Sequence, residues 1–172
     1  MTRPGPSDLA RLLGLKTLEV EGGRFSRTYQ SGLRLAEGRP AATAIYALFT
    51  ADDPVSRLHR LDGDEIWHFY LGDPMDLVLL RPDGTHATVR LGPDVLAGEV
   101  VQQVVPAATW MGARLAAGGS YALIGATMTP GFVSAGFEPG DRHQLRRRYP
   151  AAAGLITSLT PDRPLPGLPS ER

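Results

Sequence analysis

The sequence predicts an all-β protein, an antiparallel barrel or jelly roll with a short N-terminal helix. Three observations carry this. The apolar runs are short and rich in β-branched and aromatic residues. Turn-forming residues punctuate them at close intervals. Glycine (20) and proline (15) make up about a fifth of the 172 residues, which suits many strands joined by turns and not a helical bundle.

Residues 7–13 read as the helix: Ser7 is placed to cap it, Leu9, Leu12 and Leu13 give an apolar stripe, and Gly14 stops it. Strand-like runs follow at 23–31, 42–50, 65–71, 76–81, 86–91, 102–105, 110–115, 120–127 and 132–134. Between them stand turn signals such as Gly22-Gly23, Asp52-Asp53-Pro54 and Gly118-Gly119. The strongest hairpin signal is Pro82-Asp83-Gly84 between two such runs. Eight or nine strands at this spacing enclose a cavity lined by alternate residues of each strand. This body spans 1–146. Residues 147–172 hold Pro150, Pro161, Pro164, Pro166 and Pro169 with few large apolar groups, and are expected to form a loosely held tail. An apolar patch at 155–159 within it is able to dock on the body.

Charge and cysteine usage narrow the function. Lys plus Arg (18) equal Asp plus Glu (18), so no strongly basic surface is expected for nucleic acid or a membrane. With no cysteine, disulfides, thiolate metal sites and thiol catalysis are excluded. There is no apolar run of membrane-spanning length, and residues 1–8 lack the apolar core of a signal peptide. The expectation is a soluble, cytoplasmic protein that handles a small-molecule substrate or ligand. Exposed sheet edges invite pairing, so a homodimer is also expected.

The densest polar and aromatic segment is 58–74. In it His59 and Glu65 flank a tight turn, with five residues between them. That is about what a hairpin needs to set two strand ends side by side. An imidazole and a carboxylate converging inside a barrel bind a divalent metal, or act as a base and its orienting partner. A surface hairpin with an incidental ion pair is the alternative.

This segment resembles the first conserved motif of the cupin superfamily, Gly-x5-His-x-His-x3–4-Glu-x6-Gly. His59, Glu65 and Gly72 fall on its first His, its Glu and its closing Gly, while Leu61 replaces the second His and Asp53 the first Gly. The second motif, Gly-x5-Pro-x-Gly-x2-His-x3-Asn, is matched around Pro106, but Met111 stands at its His with Trp110 beside it. A narrower resemblance runs through Glu21-Gly22-Gly23, Arg27-Thr28-Tyr29, Tyr46, Glu65-Ile66-Trp67-His68, Pro106, Trp110 and Pro130-Gly131-Phe132. In this order they look like a cupin subfamily labelled "predicted sugar epimerase", over about residues 9–146. That subfamily usually has His-Pro before the Glu-Gly-Gly, where Glu19-Val20 stand here.

The resemblance implies a single jelly-roll container. Metal-dependent cupins offer three imidazoles and one carboxylate, but Leu61 and Met111 offer no ligand for a hard or borderline ion. Two protein ligands are too few for a tight site. No metal cofactor is therefore expected; a divalent ion on His59 and Glu65 is the weaker alternative. The metal-free precedent is the keto-sugar epimerase, in which a His–carboxylate pair removes a proton beside a carbonyl and a Tyr returns one. Carried onto this chain, the catalytic residues are His59, Glu65 and Tyr29. Substrate contacts fall to Arg27, which shares the strand face of Tyr29, and to Trp67, Trp110, His68 and Gln103. His68, three residues beyond Glu65, belongs to the opposite strand face and suits a subunit interface. The favoured function is a metal-independent epimerase or isomerase acting on a sugar-like or biosynthetic intermediate. A non-catalytic small-ligand-binding protein and a metal-dependent oxygenase or lyase are the alternatives.

Overall fold

The computed structural model describes residues 4–162. Helix α1 (Pro6–Leu12) opens the chain. It begins one residue earlier than the sequence suggests, because Pro6 fits the first helical turn, where no N–H is needed, and Gly5 rather than Ser7 stands at the N-cap, with no side chain capping it. Gly14 ends it at φ 62°.

Two antiparallel sheets follow. The first runs in the order β1 (Lys16–Thr17), β2 (Arg24–Gln30), β3 (Thr43–Thr50), β10 (Tyr121–Thr129), β5 (Asp64–Gly72) and β8 (Gln102–Val105). The second runs β11 (Phe137–Pro139), β4 (Val55–Leu61), β9 (Trp110–Leu115), β6 (Met75–Leu80) and β7 (His86–Leu91). Their inner faces enclose a core that includes Phe49, Leu77, Leu79, Met111, Ala113 and Ile124. This is the jelly-roll arrangement expected. The β6–β7 turn forms as expected: Arg81 N–H donates to Thr85 O over 2.9 Å, and Gly84 takes φ 89°.

Three features differ from the sequence reading. First, β4 and β5 do not form a hairpin. They belong to different sheets, and Asp62-Gly63 carries the chain from one wall to the other. Second, residues 132–134 form no strand; a short 3-10 turn (Ser134–Gly136) precedes β11. Third, position 147 falls inside helix α2 (Arg142–Arg148), and α3 (Ala153–Leu159) follows. Leu145, Tyr149, Ala152, Ile156 and Leu159 recur at helical spacing and are all buried. They cover Leu58, Val78, Leu80 and Trp110 on the outer face of the second sheet. Those contacts explain why this stretch is held and not loose. Pro164, Pro166 and Pro169 lie outside the described residues. Among the described residues no helix is long and apolar enough to cross a membrane.

Candidate active site

A cavity of about 220 Å³ opens between the sheets at the β4–β5 corner. Its floor on the first sheet includes Phe25, Arg27, Thr43, Ile45, Glu65 and Met128; β4 supplies His59 and Leu61 from the opposite wall. The loop 18–23 adds Leu18 and Glu21, and the segment before β11 adds Phe132 and Ser134. His59 and Glu65 therefore meet across the container from two walls, not side by side on one.

His59 is 3% exposed. Its Nδ1–H donates to the Arg57 carbonyl over 2.8 Å. A carbonyl only accepts, so the other nitrogen, Nε2, carries the lone pair when the ring is neutral. The ring stacks on Phe137, centroids 5.3 Å apart. Nε2 lies 3.9 Å from Glu21 Oε2, and the Glu21 side chain is 20% exposed. Sequence reasoning quoted Glu21 only within Glu-Gly-Gly and assigned it no role.

Glu65 is 9% exposed. Trp67 Nε1–H donates to its Oε2 over 2.8 Å. Burial pushes its carboxyl from the usual 4.5 up to about 7; the nearby His59 opposes the rise, the Glu21 charge adds to it, and the Trp67 hydrogen bond opposes it. Glu65 thus changes its proton near neutrality, in the range that general acid–base work needs. Each group also has a methionine opposite it in its own sheet: His59 pairs with Met111, and Glu65 with Met128.

The other site residues named from the sequence are distributed as follows. Arg27 lines the cavity, its guanidinium 5.8 Å over the Phe132 ring, and it donates to Gln30. Tyr29 does not share its face. The β2–β3 register shifts between them, so that Arg27 opposes Ile45 but Tyr29 opposes Ala44. One extra residue in the bulge turns Tyr29 outward, 54% exposed and away from the cavity. Trp67 is core; it holds the Glu65 carboxylate but does not line the cavity. His68 lies on the outer face, its Nε2 3.1 Å from Thr127 Oγ1 and its ring stacked with Tyr70; burial lowers its pKa below 6.5. Gln103 opposes Trp67 at the β8 edge, donates to the Val104 carbonyl and misses the cavity. Trp110 forms no wall of this cavity: its neighbour Met111 points inward, so Trp110 points outward, beneath α2 and α3 and under the Arg60 guanidinium at 4.8 Å.

A two-sheet β-container that opens at one corner, with His59 and Glu65 on facing walls, defines a cupin-type protein. The chain belongs to the cupin superfamily: residues 7–139 match the family described as Cupin superfamily (DUF985). It is 30% identical to protein SO0799 from Shewanella oneidensis, with a TM-score of 0.86 over 95% of this chain and all of that one. It is 31% identical to a hypothetical protein from Leishmania major, with a TM-score of 0.83 over 91% of this chain and 99% of that one. It is also 29% identical to the uncharacterized protein YML079W of Saccharomyces cerevisiae, over 74% of this chain and 72% of that protein. More distant likenesses, such as a cupin 2 domain-containing protein from Halorhodospira halophila (11% identity, TM-score 0.53), share the fold alone.

The metal set of metal-dependent cupins does not fit this donor chemistry. Leu61, on the cavity wall, and Met111, in the core, occupy two of the imidazole positions. Among the described residues no group of three or more His, Asp or Glu is placed to share an ion. The second motif's glycine position falls on Ala108, which nevertheless adopts φ 64°. The backbone turn of that motif is therefore kept without its glycine.

Proposed function

We propose that this protein is a small-molecule enzyme, an epimerase or isomerase that moves a proton beside a carbonyl without a metal. One observation carries the reading: an imidazole with a fixed tautomer faces a carboxyl titrating near 7 from the opposite wall of one cavity. His59 Nε2 takes the proton from the carbon next to the carbonyl, leaving an enolate. Glu65, protonated below about 7, gives its proton to the other face of that carbon. Removal from one wall and return from the other inverts the centre. Tyr29, facing out, takes no part.

The guest is small. The cavity, about 220 Å³, lies below the roughly 300–1,000 Å³ range of drug-sized sites. Leu18, Phe25, Ile45, Leu61, Met128 and Phe132 make its walls largely apolar. Sugar hydroxyls set against those apolar side chains go unpaired at about 1–3 kcal/mol each. A compact, mostly apolar carbonyl compound suits it better than a sugar.

The test is solvent-deuterium incorporation into a panel of small ketones, keto acids and keto-sugars, with His59→Ala and Glu65→Gln as controls. Exchange lost in both variants supports the reading. Tight binding across the panel with no exchange replaces it with a ligand-binding protein. Pairing as a homodimer belongs to the same proposal. The β8 edge of the first sheet carries Val101 and Val104, each 49% exposed, and light scattering reads the mass.

A further inference from the structure

Glu21 enters the centre from an element that neither wall supplies. Its loop is held against β4 by three contacts. The Arg57 backbone N–H donates to Glu21 O over 2.7 Å, and the Arg57 guanidinium donates to Glu19 O over 2.9 Å. Gly22, at φ 93°, packs so closely that a Cβ there would strike the Val55 carbonyl oxygen. The carbonyl of the same Arg57 takes the His59 Nδ1–H. One residue thus sets both the loop that carries Glu21 and the ring it faces. The contact falls on Nε2, the nitrogen left without a backbone partner. Its carboxylate is also the better hydrated member of the pair, 20% exposed against 3% for the imidazole.

We propose that Glu21 is the proton relay of this centre: it stabilises the imidazolium formed when His59 Nε2 takes a proton, then accepts that proton and releases it to solvent at the cavity mouth. The step balances. The proton leaves substrate carbon for Nε2, passes from Nε2–H to the Glu21 carboxylate once that side chain closes the 3.9 Å gap to hydrogen-bond distance, and exchanges with water. His59 returns to its neutral tautomer, and Glu65 is reprotonated separately from solvent. The relay rests on the isomerase reading, but the coupling between Glu21 and His59 does not, and the two are tested apart.

The charged groups on the cavity side of His59 are Glu21 from the loop, Glu65 from β5 and Arg27 from β2. NMR titration of the His59 ring in wild type, Glu21→Gln and Glu21→Asp reads the coupling directly. Removing the anion 3.9 Å from Nε2 disfavours the charged form of the ring, and the Glu65 carboxyl, which the Glu21 charge pushes up, moves down with it. Glu21→Asp, one methylene shorter, gives the same sign at smaller size, so the result does not depend on how one variant folds. Glu19→Gln, on the same loop but exposed, leaves His59 in place. If His59 is unmoved in both Glu21 variants, or moved equally by Glu19→Gln, the proposal is overturned. Where substrate exchange is found, Glu21→Gln returns more of the abstracted hydrogen to recovered substrate, because the proton held on His59 escapes more slowly. Recovered substrate that exchanges with solvent as fast as in the wild type also overturns the relay. Coupling without exchange on any substrate leaves the Glu21–His59 contact standing and removes the isomerase reading instead.

Discussion

Replacing Glu65 with glutamine should make the protein more stable, and only above a certain pH. The glutamine carbonyl still accepts the Trp67 N–H bond, 2.8 Å in the wild type, and its NH2 mimics the protonated acid. In the unfolded chain the carboxyl titrates near its usual 4.5; in the fold it titrates at about 7. Below pH 4.5 both states carry the proton, and variant and wild type should match closely. Between 4.5 and 7 the folded wild type holds a proton that the unfolded chain releases. Its stability therefore falls as pH rises through this window. At roughly 1.4 kcal/mol per pH unit, the displacement from 4.5 to about 7 amounts to about 3 kcal/mol. The variant escapes this loss. The difference in unfolding free energy should grow from near zero at pH 4.5 to about 3 kcal/mol at pH 8, or roughly 6–12 °C in melting temperature for a chain of this size. Urea titrations of both proteins across pH 4.5–8 measure it. Subtracting one curve from the other cancels every group that does not interact with Glu65. A difference that stays flat with pH would show that Glu65 is ionised throughout and that the centre has no acid near neutrality. Exchange activity should fall as stability rises, the usual exchange of stability against function at an active site.

Two further outcomes follow from geometry away from the cavity. Ala108→Gly relieves the exposed alanine at φ 64°; a left-handed alanine costs roughly 1–2 kcal/mol and glycine's extra entropy returns part of that, so thermal melting should rise by about 1–4 °C. Ile156→Ala empties a fully buried position between α3 and the second sheet and should cost about 2–5 kcal/mol in urea denaturation, while leaving the His59 titration unchanged.

The strands were legible where one face is wet and the other dry. Runs such as 86–91 alternate clearly, and β7 falls on that range. The strand that carries His59 was hidden because both its faces are covered. Leu58 lies under the C-terminal helices while Leu61 faces the core, and a register shift between Ser56 and His59 breaks the alternation between them. The same effect misled the reading of Tyr29: a face inferred by counting in twos fails when a bulge adds one residue. For Trp110 the pairing partner was missing, since only the His59–Met111 register shows which of the adjacent pair turns inward. The C-terminal helices were masked by their prolines, although the helical recurrence of Leu145, Tyr149, Ala152, Ile156 and Leu159 was there to be counted. Spacing singled out His59 and Glu65 and the motif then supported them, but the spacing suggested a hairpin where the chain crosses between sheets. Glu21 carried a signal in the Glu-Gly-Gly turn, but which nitrogen of a distant histidine it would face depends on packing alone.

The methionines opposite His59 and Glu65 bear on how tolerant the chamber is. Thioether chains are unbranched, with three rotatable bonds and a polarisable sulfur that adapts to irregular surfaces. Met128 lines the cavity beside Glu65, while Met111 packs in the core beside His59, so guests of unequal shape can be seated by re-threading the Met128 sulfur while the backbone ladders stay put. Such upholstery favours a chamber that accepts a family of related guests over one tailored to a single shape.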